Sequence, residues 1–88
     1  MMFVILVYDV DSKRVRKVAK AAEKYLFRVQ ESVFEGYLTV RRLKQLKSEL
    51  QSLIDPQDDS VIVYVQDAPW SLSKIELGRF RTDSTLFF

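Results

Sequence analysis

The chain has neither cysteine nor histidine, and only two glycines and two prolines among its 88 residues. The missing cysteine excludes disulfides and thiolate metal sites. The missing histidine excludes the commonest general base, the commonest zinc ligand and every Ser-His or Cys-His nucleophile pair. Carboxylates, lysine, arginine, tyrosine and hydroxyls remain for chemistry. A hydrolase built from that set would use a hard, oxygen-preferring cation, Mg2+ or Mn2+. No apolar run approaches the ~20 residues that span a bilayer. The apolar start, residues 1–8, stops at Asp9 and lacks the basic flank and small-residue cleavage site of a signal peptide. The expectation is a cytoplasmic protein with no membrane partner.

What is present is apolar surface and an uneven charge. Almost half the residues are apolar, including ten Phe and Tyr rings besides Trp70. A domain of this size buries only roughly two-thirds of the surface its unfolded chain exposes. The surplus of apolar residues points to a homodimer. The net charge is +2, but residues 1–30 carry seven basic against three acidic side chains, and residues 55–88 three against six. A basic excess gathered in one third of the chain suits a polyanion at one surface; it is also what a solvated helix face looks like.

The hydrophobic pattern gives six elements and a short seventh. Residues 3–8 are a continuous β-branched and aromatic run, as in a strand buried on both faces. Asp11 or Ser12 offers an N-cap, and Val15, Val18, Ala19, Ala22, Tyr25 and Leu26 then form one helical stripe. Residues 27–38 are rich in Phe, Val and Tyr with no helical period, and read as two strands with a bend near Glu31 and Ser32. Gly36 suggests a bulge or a close backbone approach. Thr39 caps a second helix with the stripe Leu43, Leu46, Leu50, Leu53 and Ile54. A turn cluster, Asp55-Pro-Gln-Asp-Asp-Ser60, leads into a buried strand over 61–65. A short strand over 74–78 follows, then a tail ending in Leu86-Phe87-Phe88.

Strand, helix, strand, strand, helix, strand is the split βαβ order of a ferredoxin-like α+β domain. Right-handed crossovers put both helices on one face of an antiparallel sheet. The other face is left apolar and open, and a second copy of the chain is the simplest cover. The expected organisation is one domain over 1–88, with a core over 1–66 and a C-terminal strand and tail over 71–88. That last strand can extend either its own sheet or the partner's.

Asp9, at the carboxyl end of the first strand, either caps the following helix or binds a metal. Asp11 and Ser12 are better placed to cap. A two-fold axis beside Asp9 would supply a second carboxylate to the same ion.

Tyr8-Asp9 closing the first strand, Lys13-Arg14 opening the helix, and Arg28-Val-Gln-Glu-Ser-Val-Phe-Glu-Gly36 together resemble the small CRISPR-associated "Cas two" family of adaptation proteins. The Asp55-Pro-Gln-Asp-Asp-Ser60 turn and Ile75-Glu-Leu-Gly78 look like the same family. The resemblance spans nearly the whole chain in order. It implies a ferredoxin-like homodimer whose C-terminal strand joins the partner's sheet. It implies Mg2+- or Mn2+-dependent cleavage of RNA or double-stranded DNA, and a place beside the CRISPR integrase in acquiring spacers. It makes Asp9 the metal-binding, catalytic acid, and Arg14, Arg16 and Arg28 the nucleic-acid contacts, with Tyr8 and Phe34 in support. The loop between Asp9 and Lys13 is shorter than in many members. The rings of Tyr8 and Phe34 also suit a packed core. The competing readings are a non-catalytic ferredoxin-like RNA-binding or regulatory module and a toxin-like ribonuclease of related fold. The module lacks support: Phe34-Glu-Gly-Tyr37 is a poor match to the RNA-recognition signature.

Overall fold

Alternation in the strands and a 3.6-residue period in the helices sort this chain into one sheet and one helical layer. The computed structural model describes residues 1–79, in the order β1 (Met2–Asp9), α1 (Val15–Glu23), β2 (Phe27–Gln30), β3 (Val33–Leu38), α2 (Val40–Leu53), β4 (Ser60–Ala68) and β5 (Ser71–Gly78). The antiparallel sheet runs β2-β3-β1-β4-β5. This is the expected ferredoxin-like α+β arrangement with an added fifth strand.

One face of the sheet meets the helices. Val4, Leu6 and Tyr8 of β1, Phe34 and Leu38 of β3, and Val61, Val63 and Val65 of β4 are buried there. Val18, Ala19 and Ala22 of α1 and Leu43, Leu46 and Leu50 of α2 close over them in a single core. Small alanines on α1 let that helix approach closely. Glu49 ties the helical layer together. Its carboxylate accepts from the Tyr25 hydroxyl at 2.6 Å and pairs with Lys24, while the Arg42 guanidinium stands 4.1 Å from the Tyr25 ring centroid.

The other face carries Phe3, Ile5 and Val7, flanked in register by Tyr37, Glu35 and Val33 on β3 and by Gln66, Tyr64 and Ile62 on β4. Most of these side chains are half-buried in the single chain. The open apolar face expected from the sequence is therefore there.

Thr39 caps α2 as expected, its Oγ1 accepting from Arg42 N at 3.2 Å. The start of α1 differs. The N-cap position is Arg14, without a side-chain cap. Asp11 instead accepts from Lys13 N at 2.9 Å and stabilises the turn before the helix. Gly36 has no positive φ; a Cβ there would stand 3.1 Å from Leu26 Cδ2, so its role is close approach. The bulge lies in β2, between Arg28 and Gln30.

The last strand also differs. It is longer than the expected 74–78, beginning at Ser71, and in this single chain it pairs with β4. The two strands are joined through Pro69 and Trp70 alone, which is short enough to favour pairing within the chain. No residue in that turn has a positive φ, and an irregularity between Gln66 and Ala68 takes up the twist. The Leu86-Phe87-Phe88 end lies outside the described residues.

Candidate active site

Asp9 is the last residue of β1, paired with Ser60 at the start of β4. By alternation it belongs to the open face with Phe3, Ile5 and Val7, and it is exposed. Among the described residues its carboxylate has no hydrogen-bond or ion-pair partner. Asp9 does not cap the helix.

The loop leaving Asp9 is fastened by a residue that the sequence did not single out. Asp59, immediately before β4, is fully buried. Its Oδ2 accepts from Arg14 Nε at 2.7 Å and from Asp55 N at 2.8 Å. Its Oδ1 accepts from Asp11 N at 2.9 Å and from Arg14 Nη2 at 3.1 Å. The Arg14 guanidinium, with the two backbone amides, holds the Asp59 carboxyl far below the usual carboxylate range against the opposing effect of burial. In sequence, Asp59 is one of three aspartates in a turn. Nothing local marks its pairing with an arginine 45 positions away.

Arg14 is thereby committed to Asp59 and lies largely out of solvent. We correct its assignment from a phosphate contact to an internal anchor, because the bidentate fork that would grip phosphate already grips a carboxylate. Arg16 and Arg28 do come together. They line a depression of about 400 Å³ together with Val15, Ala19, Lys20, Glu23 and Glu31. The Arg28 Cζ stands 5.2 Å from the Phe34 ring centroid.

Phe34 is fully buried and Tyr8 nearly so, and their rings stack at 6.1 Å between centroids. Neither is a platform for a nucleobase. Tyr8 has a further contact, its hydroxyl donating to the Glu31 carbonyl at 3.4 Å, and so links the Asp9 end of β1 to the rim of that depression. That depression is on the helical side, whereas Asp9 faces the open side. One chain does not place the arginines around the acid.

Matched to known proteins, residues 2–73 fit the family model for CRISPR associated protein Cas2. The chain belongs to the Cas2 family. A Thermotoga maritima protein named CRISPR-associated endoribonuclease Cas2 is 52% identical over 67 residues, covering 76% of this chain and 77% of that protein. One of the same name from Dictyoglomus turgidum is 45% identical over 64 residues, covering 73% and 74%. A crystal structure of Cas2 superposes with a TM-score of 0.73 at 38% identity, covering 92% of this chain and 91% of that one. No helix among the described residues is long and apolar enough to cross a membrane.

The residues around Asp9 bear on the hard cation expected from the sequence. Among the described residues, no three carboxylates gather as a metal cage. Mg2+ does not need one, since it keeps several waters and takes one or two carboxylates. An exposed, unpartnered Asp9 fits that demand, and the absence of histidine and cysteine fits a hard cation.

Proposed function

We propose that this chain is a metal-dependent endonuclease that hydrolyses phosphodiester bonds of RNA or double-stranded DNA. In this reading it works as a homodimer in CRISPR adaptation, beside the integrase. The observation that carries the proposal is the unpartnered Asp9 carboxylate at the rim of an apolar sheet face. The endoribonuclease names of its relatives support the same reading.

Two chains meeting through that face would bring an Asp9 carboxylate from each toward the other, and those carboxylates would hold Mg2+ or Mn2+. With the cation bound, the site gains Lewis acidity toward water and a phosphoryl oxygen. Water adds to phosphorus, the P–O bond to one flanking nucleoside breaks, and the departing oxygen takes up a proton. Arg16, Lys20 and Arg28, on the helical side, grip the nucleic-acid backbone away from the cut and fix its path. The buried Tyr8 and Phe34 rings hold the end of β1 and the base of Arg28 in place.

The test is cleavage of RNA and duplex DNA with Mg2+, with Mn2+ and with chelator, comparing the wild type with Asp9→Ala. Cleavage that needs the cation and disappears in Asp9→Ala supports the proposal. An Asp9→Ala protein that cuts like the wild type removes Asp9 from the mechanism. Co-purification with the cognate integrase tests the adaptation role separately, and its failure counts against that role.

A further inference from the structure

Two attachments to Asp59 bear on Asp9 although neither touches it. Asp59 directly precedes Ser60, the residue opposite Asp9 in the β1–β4 ladder. From there its carboxylate reaches across to Asp11 N, two residues past Asp9, and to the Arg14 side chain that begins α1. The backbone leaving Asp9 is therefore held by the ladder on one side and by the Asp59 carboxylate on the other. The Asp59 backbone is pinned in turn: Arg79 N donates to its carbonyl at 2.7 Å, and Gly78 packs so closely that a Cβ there would stand 2.2 Å from that oxygen. Four donors on one fully buried carboxylate make a rigid mount.

We infer that Asp59 is a positioning residue for the metal site, fixing through Asp11 and Arg14 the direction in which the Asp9 carboxylate leaves the sheet. The inference rests on the reading of Asp9 as metal ligand. Asp59 acts one step further out than an outer-shell partner, which touches the ligand and whose loss typically costs metal affinity about 10- to 100-fold, so its own loss should cost less than that range's upper end. Asparagine at 59 keeps the shape but replaces one acceptor oxygen with a donor NH2, which faces the donors of Arg14 and Asp55 or of Asp11 and Arg14. The loop then loses at least one of its fastenings.

The experiment is a Mn2+ titration followed by electron paramagnetic resonance of the free ion, at a temperature where circular dichroism finds each protein folded. The proteins are the wild type, Asp9→Ala, Asp59→Asn, the double variant Arg14→Met with Asp59→Asn, and Leu46→Ala. The double variant leaves no unpaired charge in the interior, so it remains measurable if Asp59→Asn does not fold. Leu46→Ala weakens the core at a fully buried position away from the loop.

The wild type should bind, Asp9→Ala should lose binding, and both Asp59 variants should bind more weakly, by up to about tenfold. Leu46→Ala should bind like the wild type. Asp59 variants that bind as tightly as the wild type overturn the inference while leaving Asp9 as the ligand. So does an equal loss in Leu46→Ala, which would make the effect one of general stability. A wild type that takes up no Mn2+, or an Asp9→Ala that binds unchanged, defeats the metal reading itself and the positioning role with it.

Discussion

Arg14 and Asp59 form a bidentate pair, 2.7 Å at its closest, in which the carboxylate is fully buried and also accepts two backbone amides. The pair fastens the β1–α1 loop to the turn before β4, so its loss should appear first as instability. Asp59→Asn leaves Arg14 with only the exposed Asp58 carboxylate at 3.9 Å and breaks charged hydrogen bonds, which should cost roughly 1–3 kcal/mol. Urea unfolding measures it.

The same carboxylate sets a pH dependence. Its folded-state pKa is depressed below the unfolded value of about 3.9, with the Arg14 hydrogen bonds the largest cause. Its contribution to stability is complete above that unfolded value and is lost as pH falls below about 4, where the unfolded state takes up the proton first. Thermal unfolding between pH 7 and pH 2 should therefore fall more steeply for the wild type than for Asp59→Asn. Parallel curves would contradict this.

Gly78 has φ +88°, a conformation side chains rarely adopt, and abuts the Asp59 carbonyl. Gly78→Ala should destabilise by roughly 1–3 kcal/mol through strain and displacement of that carbonyl. Gly36→Ala meets only the movable end of Leu26 and should cost less. Denaturant midpoints of the two variants compare them directly.

Val7 lies between Val33 and Ile62 on the open face. A charge placed there would be buried without a partner in a face-to-face dimer. Val7→Lys should weaken self-association by roughly a hundredfold or more while the chain stays folded. Sedimentation equilibrium with circular dichroism is the check.

The arginines should separate by function. Arg16→Ala and Arg28→Ala should each weaken nucleic-acid binding and lower the slope of log affinity against log salt by about one. Arg14→Ala should instead lower the melting temperature. Filter binding at several salt concentrations, alongside thermal melts, distinguishes the two behaviours.

Local signals made most of the fold legible. The stripe through Leu43, Leu46 and Leu50, the Thr39 cap and the apolar run ending at Tyr8 each follow from neighbours in sequence. Asp9 was legible as an acid at a strand end without a capping duty. Asp59 was not, because its role depends on a contact with Arg14 that only the folded sheet creates. Arg14, which the resemblance implied to be a nucleic-acid contact, is held by that same contact, and its partner 45 positions away is invisible in the sequence. The pairing of β5 was left open because strand pattern says nothing about which edge a strand joins. Within one chain the short Pro69-Trp70 connection lets β5 pair with β4.

In the proposed dimer, one Asp9 from each of two chains completes a single metal-dependent site. Co-refolding wild type with increasing Asp9→Ala, at constant total protein and with Mg2+ or Mn2+ present, tests it most directly. If both carboxylates are needed, cleavage should fall as the square of the wild-type fraction. A fall in simple proportion would mean that each chain cuts with its own Asp9, and the shared site would be wrong.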